Sequence, residues 1–555
     1  MAKGEPLHFR FWPKELPKAL EFPQTSLWFN LEVAAQRYPD KAMLLYYGAK
    51  VSYARIRDEA QRLAGFLQQQ CGVQRGDRVL LFMQNSPQFV IGYYAILRAD
   101  AMVVPINPMN LTEELRHCLH DSGARVALCG QELFDQLRPL IGFGLDHVVV
   151  AAYGEYADRG CDLDLPEAVQ APMQPLGDAG VTLWSDALRR DAQPAPAQAG
   201  PDDLCVMPYT SGTTGRPKGC IHTHATTMST IVIMAACGGG HQDSVVLGTL
   251  PLFHVTGMQG SMNLPIYLGA TVVLMTRWDR ETAAELIERH RVDGWTNIST
   301  MAIDFLANPN LGRYDLSSLR RIGGGGAAMP EAVASRLKAL TGLDYIEGYG
   351  LSETMGPTHI NPDHRPKKQC LGIPVCNTDA RIINPDTLEV LGPNQVGEIV
   401  SRGPQIFKGY WNNRAATAEC FIEIDGAAFF RTGDLARYDE DGYFFIVDRL
   451  KRMINAAGYK VWPAEVEAIM YAHPDVQEAC VIGTQDPHRG ETVKALVVLR
   501  SSARGKVSPE EIIGWCRSHM AAYKIPRVVE FVDTLPKSAT GKVQWRLLQE
   551  RERTR

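Results

Sequence analysis

Residues 77–107 constrain the chain more than any other stretch. An apolar run, VLLFM (79–83), leads to Ser86-Pro87, a natural N-cap followed by a first-turn proline. QFVIGYYAILR (88–98) is apolar nearly all round, which predicts a helix buried on every side. MVVPIN (102–107) then supplies a second strand. The pattern recurs. TEELRHCLHD (112–121) precedes the strand RVALC (125–129), and ETAAELIERH (281–290) follows the strand TVVLM (271–275). Alternation of this kind predicts an α/β fold with mainly parallel sheets.

With 555 residues, the chain is long enough for about three to four folding units at ~150 residues each. A net charge of −5 gives no electrostatic basis for a nucleic-acid partner. Twelve cysteines occur without a C-x-x-C pair, and the N-terminal stretch mixes charge and proline where a secretory signal would be apolar. A cytoplasmic protein without a transmembrane segment is expected; peripheral membrane contact and a homodimer stay open. Near residue 430 the texture changes. Asp441-Gly442 predicts a hairpin turn before YFFIV (443–447), and VWPAEVEAIMYAHP (461–474) predicts a helix with Pro463 in its first turn and Val466, Ile469 and Met470 on one face. A boundary at Lys451 would divide residues 1–450 from a smaller domain, 451–555.

The linker AQPAPAQAGPDD (192–203) runs into YTSGTTGRPKG (209–219). Glycines, hydroxyls and Lys218 suit an anion cradle, although a flexible surface turn has the same composition. The loop is not a Walker P-loop. Counted from Gly212, Pro217 stands where glycine is required, and Gly219 follows Lys218 in place of Ser or Thr.

Three further strings decide between these readings: EGYGLSET (347–354), RTGD (431–434) and PKSATGKV (536–543). In this order and at these separations, the four motifs resemble those of the adenylate-forming superfamily, over nearly the whole chain. The branch they resemble is that of acyl-CoA synthetases, with fatty acid–CoA ligases closest in texture. The resemblance implies a large N-terminal domain of layered α/β sheets with a distorted β-barrel, plus a small mobile α+β C-terminal domain. It implies ATP, Mg²⁺ and coenzyme A alongside a small carboxylic acid. Thr210, Ser211, Gly212, Thr213, Thr214, Gly215 and Lys218 would hold the departing pyrophosphate. Lys542 would bridge the acid's carboxylate and the α-phosphate, and Glu353 with Thr213 would hold the metal.

By the same resemblance, Asp434 would accept the ribose hydroxyls, with Arg449 as a second contact. Tyr349 would stack on adenine and Ser352 would reach the α-phosphate, within a strand that also carries Glu347 and Gly348. GGGGAAMP (323–330), with Gly326 and Ala327, would wall the adenine and the acyl group ahead of a helix starting at Pro330. His254 in PLFHVTG (251–257) would gate the carboxylate; taken alone it reads more readily as a hydrogen-bonded core histidine, and the resemblance brings the two readings level. Lys451 would be a hinge, and a tight GYKV turn (458–461) would bring Gly458, Tyr459 and Lys460 to the pantetheine arm. MINAAGYKV departs from relatives that carry basic or Ser-Gly-Gly residues there. A pocket of Val255, Met258, Gly325, Ala327 and Met355 would suit an alkyl chain or an aromatic acid. Transfer to a carrier-protein thiol, and a non-catalytic nucleotide binder, are the other readings weighed; intact Lys542, Glu353 and Asp434 oppose the second.

Overall fold

The computed structural model describes residues 6–210, 217–326, 329–449, 452–456, 459–486, 490–538 and 541–554. Two nine-stranded sheets form most of the molecule. In the first, Thr271–Leu274, Val245–Gly248, Gly294–Asn297, Arg321–Gly325 and Tyr345–Leu351 run parallel, flanked by antiparallel edge strands. In the second, Arg78–Phe82 lies between Met102–Pro105 and Val126–Gly130, parallel to both. The expected parallel α/β alternation is therefore present.

The reason lies in local sequence. Ser86 accepts a hydrogen bond from the Phe89 amide at 3.1 Å, and Pro87 opens the helix Pro87–Arg98. Every residue of that helix from Pro87 to Leu97 is buried. Apolar on all sides, it can only sit inside the main core, where Leu31, Ile56, Leu63 and Trp184 pack with it.

A third sheet of five strands is antiparallel and carries the predicted hairpin. Ala427–Tyr438 pairs with Phe444–Arg449, and Gly442 takes φ +81° in the connection. Asp439 shapes the turn as well: its Oδ1 accepts from the amides of Asp441 and Tyr443 at 3.0 Å each. The C-terminal sheet is built on the long hairpin Val476–Asp486 and Gly490–Leu499. One face packs on helices Pro463–Met470 and Pro509–His519, the other on Trp545–Arg553. No helix among the described residues is long and apolar enough to cross a membrane.

Two expectations need correction. The glycines at 323–325 are strand residues, because Arg321–Gly325 continues between Gly294–Asn297 and Tyr345–Leu351; Pro330 is the N-cap of helix Glu331–Thr341 and not its first residue. Tyr459–Val461 is a strand paired with Ile454–Ala456, so GYKV is not itself the turn.

The glycine strand is a packing requirement. A Cβ at Gly324 would stand 1.8 Å from the Asn297 carbonyl oxygen, and backbone in a sheet centre cannot yield. Gly324→Ala is expected to cost about 3 kcal/mol in a denaturant titration. Gly177→Ala, at a position with open space around it, should change stability little.

Candidate active site

A cavity of about 1750 Å³ opens where the first sheet, the third sheet and the C-terminal domain meet. Thr210, Lys218, His254, Gly326, Glu347, Gly348, Tyr349, Ser352, Glu353, Asp434 and Lys542 all line it. Residues hundreds of positions apart thus face one space. Carboxyl ends of parallel strands provide much of the wall, as in other open α/β sheets.

On one side Tyr349 and Asp434 are joined. The Tyr349 hydroxyl donates to Asp434 Oδ2 at 2.7 Å, and the Asp434 amide donates to Thr432 Oγ1 at 3.1 Å. Asp434 is 3% exposed and lies opposite Arg449 in the strand register. Glu398, which the motif reading did not single out, organises this turn. It accepts from Arg431 Nε and from the Gly433 amide, both at 3.0 Å. Its sequence signal is weak, a single Glu in the strand Gly397–Arg402, whose first five residues are all buried.

The opposite side carries the charge that a polyphosphate requires. Glu353 is buried and accepts a 2.8 Å hydrogen bond from the Tyr410 hydroxyl. Lys218 Nζ stands 5.0 Å from the centroid of the same Tyr410 ring, so one tyrosine links the candidate metal carboxylate to the loop lysine. Tyr410 reaches this place because Gly409–Tyr410 pairs antiparallel with Lys218–Thr223. His222 is a second residue absent from the motif reading. Its Nε2 donates to the Ser352 carbonyl at 2.8 Å, and burial holds its pKa down at about 4. Among the described residues no group of three His, Cys, Asp or Glu could cage a metal by itself. One buried carboxylate facing a phosphate-sized space suits Mg²⁺, which keeps several waters and is commonly bound through few carboxylates together with substrate phosphates.

Lys542 enters from the C-terminal domain. It passes so close to Gly326 that a Cβ there would lie 2.9 Å from Lys542 Cε and 3.4 Å from Nζ. Gly326 takes φ +90°, so both conformation and contact require glycine. Neighbouring Gly541 sits against Ile298 and Thr300 of the large domain. The Ser538 amide donates to the Lys542 carbonyl at 2.8 Å, which closes the turn that presents the lysine. His254 caps the short helix Val255–Met258, its Nδ1 accepting from the Thr256 amide at 3.3 Å. Burial, and then the positive charge of Lys542, lower its pKa to about 3. It is therefore a neutral acceptor at working pH.

Ser211, Gly212, Thr213, Thr214, Gly215, Ala327, Lys451 and Gly458 lie outside the described residues. Arg449, Tyr459 and Lys460 are placed by their strands alone. The expected alkyl pocket is only partly present: Val255 and Gly325 line the cavity, whereas Met258 and Met355 are fully buried in the main core and do not line it. Apolar side chains suit a core and a channel equally, and only packing separates them.

The molecular class follows from comparison. Residues 31–411 match the AMP-binding enzyme family and residues 465–542 its C-terminal domain. The chain belongs to this family, within its acyl-CoA synthetase branch, and is an AMP-forming ligase that uses ATP and CoA, with Mg²⁺ as the family's usual metal. It is 36% identical to the long-chain-fatty-acid–CoA ligase of Bacillus subtilis, covering 98% of this chain and 97% of that one. It is 35% identical to a feruloyl-CoA synthase of an Amycolatopsis species, with 92% and 95% covered. The crystal structure of the anthranilate CoA ligase AuaEII in complex with anthranoyl-AMP superposes with a TM-score of 0.86 at 27% identity, over 96% of this chain and 98% of that one.

Glu347 offers a test of the electrostatics. Burial raises its pKa from 4.5 to about 8. A carboxyl whose folded-state pKa is raised contributes most below its unfolded pKa and loses that contribution as pH rises toward the folded value. Glu347→Gln should therefore gain stability relative to the parent between pH 4.5 and about 8, measured as a denaturant midpoint difference that widens across this window. A difference independent of pH would mean that the carboxyl ionises normally in the folded state.

Proposed function

We propose that the protein joins a medium- to long-chain fatty acid to coenzyme A through an acyl adenylate. The observation that carries this reading is the lining of the cavity. It includes Val255, Gly260, Leu264 and Leu268 together with Gly238 and Gly240. Gly260 leaves real space, since a Cβ there would have its nearest neighbours at 3.8 Å, Thr296 Oγ1, and 3.9 Å, Met234 Cε. Apolar and glycine residues of this kind can hold an alkyl chain, while Arg321, which donates to the Gly238 carbonyl at 2.7 Å, keeps its charge paired with Asp293.

The chemistry follows from the groups on the wall. A carboxylate oxygen of the acid attacks the α-phosphorus of ATP, the bond to the β-phosphate oxygen breaks, and pyrophosphate leaves. Two anions must approach, so positive charge fixed beforehand lowers the barrier. Lys542 supplies it between carboxylate and α-phosphate, and Lys218 with the 210–215 loop receives the β- and γ-phosphates. Glu353 and Thr213 would hold Mg²⁺, which when bound neutralises charge on the triphosphate. Asp434, held by Tyr349, accepts the ribose hydroxyls, with Arg449 beside it. His254, uncharged, borders the carboxylate without competing for it. In the second half-reaction the CoA thiol attacks the acyl carbon and AMP departs.

We place the hinge at Lys451, so that residues 451–555 rotate on residues 1–450, withdraw Lys542 and bring Gly458, Tyr459 and Lys460 to the pantetheine arm. A cytoplasmic setting belongs to this reading and is supported by twelve cysteines that are all free thiols. An aromatic acid is the second reading, favoured by the 35% identity to a feruloyl-CoA synthase.

Three measurements test these assignments. Carboxylate-dependent release of AMP and pyrophosphate is expected; ADP and orthophosphate would overturn the mechanism. In Lys542→Ala adenylation should fall about 10²–10³-fold while thioester formation from a supplied acyl adenylate persists. Gly260→Leu should raise the KM for hexadecanoate about tenfold and leave hexanoate nearly unaffected, since a filled pocket acts on the chain atoms that reach it. An aromatic acid turned over faster than either would favour the second reading.

A further inference from the structure

Lys218 is held from outside the cavity as well as from within. Tyr209–Thr210 pairs antiparallel with Lys218–Thr223, with Thr210 opposite Lys218 and Tyr209 opposite Gly219. Helix Thr112–Ser122 touches both sides of this base. His117 Nε2 donates to the Pro217 carbonyl at 3.1 Å, and the Tyr209 hydroxyl donates to Asp121 Oδ2 at 2.7 Å. A carbonyl only accepts, so Nε2 carries the proton. His117 and Asp121 are four residues apart, about one turn along the same helix face. The His117 ring also meets the Tyr209 ring edge-on, with centroids 6.4 Å apart. A third segment joins at the helix end: the Asp121 carbonyl accepts from Trp411 Nε1 at 3.0 Å, and the Trp411 amide donates to the Gly219 carbonyl at 2.8 Å.

Neither His117 nor Asp121 is among the described residues that line the cavity, so neither can act on a bound molecule directly. Their route is the backbone. The Pro217 carbonyl and the Lys218 amide belong to one planar peptide, so fixing that oxygen fixes the direction in which the chain enters Lys218. Pro217 adds a locked φ on the other side. From there the Lys218 stem runs to the Tyr410 ring, with Nζ 5.0 Å from its centroid, and lines the cavity. Charge set in place before the substrate arrives needs no reorganisation when the phosphates separate.

We propose that His117 is a positioning residue for the first half-reaction. Acting through the Pro217–Lys218 peptide, and with Asp121 holding the opposite strand, it orients the loop lysine for the terminal phosphates of ATP. The role rests on the reading above that Lys218 receives those phosphates. It does not extend to the acid or to the thiol step.

The test compares KM and kcat for each substrate in full-length variants and records the denaturant midpoint of each. His117→Ala is expected to raise the KM for ATP about five- to tenfold, as the loss of one hydrogen bond allows. The KM for hexadecanoate and thioester formation from a supplied acyl adenylate should stay nearly unchanged. His117→Gln should restore most of the affinity for ATP, because its side-chain amide can donate in place of Nε2. Arg116→Ala, on the exposed side of the same helix where Arg116 pairs with Glu113, should match the parent. Lys218→Ala should raise the KM for ATP by itself, and adding His117→Ala should raise it little further, since the histidine acts through that lysine. An unchanged KM for ATP in Lys218→Ala overturns the phosphate reading and the positioning role with it. A raised KM in Lys218→Ala beside an unchanged one in His117→Ala overturns the positioning role alone, as do additive effects in the double variant. Loss of affinity for acid and ATP alike in His117→Ala, or no rescue by glutamine, marks the histidine as merely structural and overturns the role too.

Discussion

Passage of Lys542 across Gly326 is the contact on which the rest depends. A lysine in water is solvated on all sides and does little for an anion. Here its stem lies against bare backbone from a glycine strand, and its ammonium group reaches a cavity walled by the opposite domain. Any side chain at Gly326 would push the lysine away. Gly323 and Gly324 impose the same closeness inside the sheet, where added carbons would meet carbonyl oxygens at 2.4 Å and 1.8 Å. Backbone without side chains lets a lysine from the C-terminal domain reach the cavity at one edge of a sheet.

Acidic groups around that space are each handled differently. Asp434 is held by Tyr349, Glu398 by Arg431 and the Gly433 amide, and Glu353 by Tyr410. Glu347 is instead driven toward its neutral form by burial. Three of the four carboxylates are thus answered by a hydroxyl, an amide or a cation, whereas at Glu347 burial outweighs the backbone hydrogen bonds from Met329 and Gln369. His254 follows the same logic from the other sign, since a second positive charge beside Lys542 would be repelled.

Much of this was legible in the sequence because it is local. Ser86-Pro87 starts a helix through bonds three residues long, and Asp441-Gly442 makes a turn through one left-handed glycine. Motif spacing carried the cavity residues by resemblance. Tyr410, His222 and Glu398 were not legible, because each acts through a partner that its neighbours in sequence do not reveal. Met258 and Met355 were misread for a related reason: a core and a channel ask for the same side chains. GYKV, which has a turn's composition, was taken into a strand by pairing with Ile454–Ala456.

By itself the sequence determined the α/β alternation, the buried helix and the order of four motifs, all of which depend on residue type and short spacing. Only the tertiary structure decided which residues meet. Tyr349 finds Asp434 and Lys542 finds Gly326 because sheet order and domain closure bring them together. Propensity and pattern act over a few residues, whereas the shape of a cavity is a property of every strand around it.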